Sequence, residues 1–255
     1  QALLIHKENG ERSSMSLTSL YHKAVSERSI RELFDKGAPF YDCTNTFLSL
    51  GIDDIWRKAL ARSIEKKDSG LIVDIATGTA KVAISIAREN PHINVVGIDF
   101  SAPMVEKRAQ RVKKEKFGSR IDLVVGDGCA LPLPQESVDA VTIAFGIRNI
   151  PRREKALEEF FTVLKPGGQL IVIEFGFPSQ PILQRLYTFY FDHILPRVGS
   201  RLMRVDGAYS YLRDSVHAFP SPEAFMQMIR AAGFSEVAVR PLTGGIVNMF
   251  LARKQ

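Results

Sequence analysis

Cysteine is nearly absent: Cys43 and Cys129 are the only two in 255 residues, far apart and with no Cys or His neighbours at metal-ligand spacing. That excludes a disulfide framework and a structural zinc site, so no metal is expected and both thiols are read as reduced. Long apolar runs are also missing. Stretches such as 170–173 fall far short of the roughly 20 residues that cross a bilayer. Near the start only Leu3, Leu4 and Ile5 cluster before Lys7 and Glu8, too few for a secretory signal, and a cytoplasmic address is expected. Internal repeats and low-complexity segments are absent. The excess of positive charge is small, +6 from 34 basic and 28 acidic residues, which reads as a solvated surface and predicts no nucleic-acid partner.

What remains is ordinary globular composition, 45% apolar and 24% charged, in a chain long enough for one large domain. Residues 1–14 carry neither a helical nor a strand period and Met15 would make a natural start codon, so 1–14 is set aside as a disordered or expression-derived leader and 15–255 is taken as a single domain. From Ser26 to Ile64 the pattern is helical, with one stripe at Ile30, Leu33 and Phe34 and another at Ile55, Trp56, Ala59 and Leu60. After the polar cluster 66–70, short apolar runs alternate with longer amphipathic ones, the signature of a parallel sheet. Candidate strands are 71–75, 94–98, 121–125, 140–144 and 169–175, with helices near 79–89, 102–114 and 153–164 between them. The Lys165-Pro166-Gly167-Gly168 turn stops the last of these helices and feeds the next strand. Right-handed crossovers place helices on both faces, giving a doubly wound α/β fold with a helical N-terminal layer. Residues 178–206, rich in Tyr, Phe, Leu and Arg, break the rhythm and read as a lid-like insertion; a helix at 222–232 and a hairpin of 237–239 with 246–252 follow.

The chemistry gathers at strand ends. Asp74-Ile75-Ala76-Thr77-Gly78-Thr79-Ala80 lies where the first strand turns into a helix, and its small residues let backbone approach a ligand. Asp99 ends the next strand 25 residues on, near the roughly 20-residue offset at which an acid reaches ribose hydroxyls. Gly126-Asp127-Gly128-Cys129 follows the third strand, and an acid there can accept from an adenine amino group. A dinucleotide site needs G-x-G-x-x-G; this turn offers Gly78, then Ala80, Val82 and Ala83, so the pyrophosphate cradle is missing. Each acid alone could equally cap a helix or build a turn. Three in order, each at a strand end, point to a nucleoside.

With these features the sequence resembles the class I methyltransferases, and within them the ubiquinone/menaquinone biosynthesis C-methyltransferase family, from about Phe34 onward. Tyr41, Asp42, Asn45, Ser49 and Trp56 fit that family's N-terminal segment, while Thr44 and Asp53 stand where it usually has Met and His. Ala144-Phe145-Gly146-Ile147-Arg148-Asn149-Ile150 matches its F-G-x-R-N stretch, the most specific match, and 163–168 followed by Glu174 also fits, with Gly176 in place of a usual Ser.

The resemblance implies a Rossmann-like fold, S-adenosylmethionine as cofactor, contacts to it from Thr79, Asp99, Asp127 and Gly128, with Ala144 lining the pocket and Gly78 approaching through its backbone; Asp74, at the first strand's turn, is read as part of the same cofactor site. It implies as substrate a prenylated quinol, benzoquinol or naphthoquinol, methylated on a ring carbon. That chemistry needs a donor or cation beside a ring oxygen. Arg148 is expected to stabilise the phenolate and Asn149 to orient the ring oxygen, with Tyr41 and Asp42 closing over the substrate. A structural salt bridge is the competing reading of Arg148, and a core-edge aromatic that of Tyr41. His193 and His217 have the chemistry of general bases but no partner visible in the sequence. Crowded apolar side chains in 178–206 suggest a groove for the lipid tail and transient contact with the inner membrane face, against the reading of a helix buried on the sheet. Self-association as a homodimer stays open, as do a methyltransferase for another small molecule or RNA and a non-catalytic nucleoside-binding regulator.

Overall fold

Strands buried on both faces must be apolar nearly throughout, and the runs Leu71-Ile72-Val73 and Leu170-Ile171-Val172-Ile173 meet that demand. The computed structural model describes residues 51–194 and 208–255. In chain order it contains α1 (Ile52–Ser63), β1 (Gly70–Ile75), α2 (Lys81–Glu89), β2 (Ile93–Asp99), α3 (Ala102–Val112), β3 (Ile121–Val125), β4 (Val138–Ala144), α4 (Arg153–Val163) and β5 (Leu164–Phe175). Then come α5 (Pro181–Phe189), a π-helical turn (Tyr190–Ile194), α6 (Ala208–His217), α7 (Pro222–Ala231), β6 (Ser235–Leu242) and β7 (Val247–Arg253).

The strands form one seven-stranded sheet in the order β3-β2-β1-β4-β5-β7-β6. The first five run parallel, and β7 lies antiparallel between β5 and β6. This is the expected doubly wound sheet, with the expected terminal hairpin slotted in beside β5. Alternate residues of each strand feed two cores. Val73, Val141, Ile143 and Val172 pack with Leu157 and Phe160 of α4 and Phe225 of α7. Ile72, Ile171 and Ile173 pack on the other face with Trp56 and Leu60 of α1 and Ile86 of α2.

Two local differences from expectation have clear causes. Helix α2 starts at Lys81 rather than Thr79, because Ala80 holds a left-handed φ of 59° and the turn before it is needed elsewhere. The Lys165–Gly168 turn is no break between helix and strand: β5 already pairs at Leu164 with Val138, and the turn is absorbed as a register shift before Gln169 pairs with Ala140. Helix α7 is capped as its sequence requires, the Ser221 hydroxyl accepting from the Ala224 N–H at 3.2 Å with Pro222 in the first turn. Helix α5 buries none of its side chains; Ile182, Leu186 and Phe189 lie 78%, 64% and 58% exposed, which sets aside the reading of this helix as core. Among the described residues no helix is long and apolar enough to cross a membrane.

Candidate active site

The parallel strands β1 to β5 end on one edge, and a parallel sheet presents its ligand crevice at that edge. The turn after β1 is the tightest part. Ala76, Gly78 and Ala80 hold φ of 52°, 50° and 59°, and Phe145 across from them holds 57°. Such conformations are costly for residues with a Cβ and gather where function requires them. The β1 and β4 loops meet back to back: a Cβ on Gly146 would fall 2.7 Å from the Ala76 Cβ, so only glycine lets the two turns touch.

Asp74 does not face that crevice. Its residue is 1% exposed and sits opposite Thr142 of β4 in the strand register. Its carboxylate accepts from the Thr142 hydroxyl at 2.8 Å and from the Thr77 hydroxyl at 2.7 Å. Burial pushes the carboxyl up to about 7, against the pull of those two hydrogen bonds. Through these two bonds Asp74 braces the turn from beneath.

Asp99 ends β2 as expected, and its carboxylate accepts from the Gly78 N–H at 2.8 Å and the Ser101 N–H at 3.1 Å. It thereby ties the β1 turn to the end of β2. Asp127, beyond β3, accepts from the Cys129 N–H at 2.9 Å while its side chain stays 59% exposed. Around them the backbone is bare. A Cβ added to Gly78 would meet nothing closer than the Ala76 carbonyl at 3.8 Å, although φ +50° strains any such residue, and Gly128 lies over Ile75 and Ile150. Thr79 is buried and Ala144 half-buried at the end of β4. Bare backbone, one acid at the end of β2 and a second, exposed acid after β3 suit a nucleoside with a ribose diol and an exocyclic amine.

The loop after β4 carries Arg148, which makes a buried ion pair. Arg148 Nη1 donates to Glu174 Oε1 at 2.8 Å and to the Phe145 carbonyl at 2.6 Å, with both side chains of the ion pair at most 2% exposed. Its Nε donates to the Ser215 hydroxyl at 3.3 Å, and the guanidinium lies 5.5 Å from the Phe175 ring centroid. A cation committed to a buried carboxylate is a poor direct partner for a phenolate. The competing salt-bridge reading describes what is seen. Asn149 beside it is half-buried, and its Oδ1 accepts from the Tyr211 hydroxyl at 2.9 Å. Tyr41 and Asp42 lie outside the described residues.

Trp56, Phe145 and Phe175 form an aromatic cluster at the same edge, with Phe145 and Phe175 centroids 4.6 Å apart and Trp56 Nε1 donating to Thr243 Oγ1 at 2.8 Å. Asp53 is buried against Arg57, with Lys81 Nζ at 3.7 Å, so this acid is used structurally. His217 Nε2 lies 2.9 Å from Asp192 Oδ1 with its ring against Phe177. Sequence reasoning gave no part to Thr77, Ser101, Thr142, Tyr211 or Ser215. The signal for Thr142 was strand register, which a sequence does not print; Tyr211 and Ser215 share a helix face at spacing four. Gly176 also finds its reason here, since a Cβ on it would collide with Asn248 Nδ2.

A family model described as the ubiE/COQ5 methyltransferase family matches residues 22–254. The chain is 48% identical over 220 residues to a "Ubiquinone/menaquinone biosynthesis C-methyltransferase UbiE" of Syntrophotalea carbinolica, covering 86% of this chain and 92% of that protein. It is 39% identical over 228 residues to a "Demethylmenaquinone methyltransferase" of Deinococcus radiodurans, covering 89% and 93%. Among solved structures, a SAM-dependent methyltransferase of Thermotoga maritima aligns with TM-score 0.62 at 20% identity, covering 89% of this chain and all of that one. The phosphoethanolamine N-methyltransferase 2 of Haemonchus contortus, in complex with S-adenosyl-L-methionine, aligns with TM-score 0.62 at 17% identity over 88% of this chain and 60% of that one. At these identities the structures speak to the fold alone.

Proposed function

This chain belongs to the ubiE/COQ5 methyltransferase family, and on that premise we propose that it methylates a ring carbon of a prenylated quinol, demethylmenaquinol or a polyprenyl methoxybenzoquinol, using S-adenosylmethionine. The observation that carries this reading is the near-full-length likeness to relatives named for that reaction. When bound, S-adenosylmethionine supplies a methyl group already activated by its sulfonium. The residues present fit it: Asp99 for the ribose hydroxyls, Asp127 for the adenine amine, and Gly78, Thr79, Gly128 and Ala144 as the close-fitting wall, with Asp74 holding the turn in shape.

The protein's own work is alignment and charge. A quinol ring carbon becomes nucleophilic as the neighbouring O–H loses its proton, so a donor fixed beside that oxygen lowers the barrier. Asn149 is that donor in this proposal. Arg148 acts through position, holding residues 145–149 to β5 by its pair with Glu174. Tyr41 and Asp42 are assigned to closure over the ring.

For the lipid tail we assign 178–206 as a lid within a single domain spanning 15–255. Its helix α5 shows Ile182, Leu186 and Phe189, spaced four and three apart, on one exposed face. Each such side chain gains about 1.5–3 kcal/mol on leaving water. That supports a cytoplasmic protein that rests on the inner membrane face to take up its substrate. A homodimer is compatible with this arrangement. Transfer of a labelled methyl group is the test: label is expected in quinol analogues and not in RNA, and label in RNA alone would overturn the reading.

A further inference from the structure

Helix α6 is fastened to the loop after β4 at two points on one of its faces. The Tyr211 hydroxyl donates to Asn149 Oδ1 at 2.9 Å, and one turn later the Ser215 hydroxyl accepts from Arg148 Nε at 3.3 Å while donating to the Leu212 carbonyl at 2.9 Å. Both targets are neighbours in the short 3-10 turn Ile147–Asn149. A primary amide has an acceptor end and a donor end that differ only by a half-rotation. With the Tyr211 hydroxyl donating to Oδ1, the NH₂ end of the Asn149 amide is left for another partner. Ser215 accepts from Nε while Glu174 holds Nη1, so the two together fix the plane of Arg148.

We propose that Tyr211 and Ser215 are positioning residues for methyl transfer: Tyr211 locks the Asn149 amide with its NH₂ as the group offered to the quinol oxygen, and Ser215 holds the adjoining Arg148. The proposal rests on the assignment of Asn149 to the ring oxygen. It gives α6 a purpose that packing alone does not, since its buried Val216 and the Phe177–His217 contact anchor it on the far side, by the π-helical turn. The loop is then held from β5 through Glu174 and from α6 through Tyr211.

Wild type, Tyr211→Phe, Ser215→Ala, Asn149→Asp and the Tyr211→Phe/Asn149→Asp double variant would be assayed for quinol methylation, with cofactor affinity by calorimetry and folding by circular dichroism. Loss of one neutral hydrogen bond corresponds to about a five- to tenfold effect, so Tyr211→Phe should lower kcat by about that factor and leave cofactor affinity unchanged. Ser215→Ala should lower it about threefold. Asn149→Asp has no NH₂ to present, and adding Tyr211→Phe to it should cost nothing more, whereas a merely structural tyrosine would cost the same in both backgrounds. Full kcat in Tyr211→Phe, or a fall confined to cofactor affinity, overturns the proposal. A wild type that methylates no quinol would overturn the functional reading itself, which is a separate result.

Discussion

Replacing Glu174 by Ala perturbs the most heavily committed group near the site. Its carboxylate pairs with Arg148 Nη1 at 2.8 Å, accepts the Phe175 N–H at 2.9 Å and accepts the Arg148 backbone N–H at 3.3 Å. The pair is removed from water, with side chains 2% and 1% exposed, so deleting one partner leaves a buried guanidinium without its counter-charge. Breaking such a pair typically costs about 3–5 kcal/mol. In a domain of this size each kcal/mol moves Tm by roughly 2–4 °C, so Glu174→Ala should melt about 6–20 °C below wild type. Urea unfolding followed by circular dichroism supplies the free energy, with a shifted midpoint and an unchanged slope. Replacing both partners together, Arg148→Met with Glu174→Leu, should restore most of the stability, because apolar side chains of similar volume substitute well for a buried pair. Turnover should not return with it, since the loop carrying Asn149 has lost its tether. A Glu174→Ala protein within about 1 kcal/mol of wild type would refute the argument, for it would mean that water reaches the pair.

Asp99→Ala removes a charged acceptor worth roughly 1.5–3 kcal/mol per hydrogen bond, and calorimetry should show cofactor affinity reduced tenfold or more; unchanged affinity in a folded variant rejects the ribose role. Asp74, raised from 3.8 to about 7 by burial, holds its proton more tightly in the folded state than in the unfolded one. Its favourable contribution is therefore complete below about pH 4 and lost as pH rises through about 7, a swing on the order of 4 kcal/mol that urea midpoints across that window should reveal and Asp74→Asn should flatten. Lengthening a short prenyl tail should raise kcat/KM, at roughly 0.8 kcal/mol per buried CH₂, until the groove is full. The double change Leu186→Ser with Phe189→Ser, at two exposed positions, should flatten that dependence with cofactor affinity intact; an undiminished tail preference removes the lid from lipid recognition.

The sheet was legible because its central strands are apolar on both faces. Strand 121–125 matches its expected span, and β1 and β2 extend theirs by one residue at most per end. Asp99 and Asp127 were legible for the same reason, as acids where an apolar run stops. The bracing bonds of Asp74 were not legible, because an acid near a strand end can point along the edge or into the sheet, and only the register with Thr142 decides. The Arg148–Glu174 pair was hidden for a related reason: the partner is 26 residues away on the neighbouring strand, a separation that no local pattern announces. Helix α5 left no amphipathic trace of burial, since its apolar stripe faces outward. Helix α6 falls at the edge of the segment whose rhythm was broken, and went unassigned.

The place of β7 in the sheet has a consequence for how the chain acquires its shape during synthesis. Strands β1 to β5 can align as they emerge, each beside one already present, but the slot between β5 and β6 stays open until residue 253 has been made. Until then Ile171 and Ile173, fully buried at completion, line an unpaired edge of the kind that recruits strands from other chains. The nascent chain thus carries an aggregation-prone edge from the completion of β5 until β7 joins it. A chain cut after residue 242 would hold β6 without the strand that joins it to the rest.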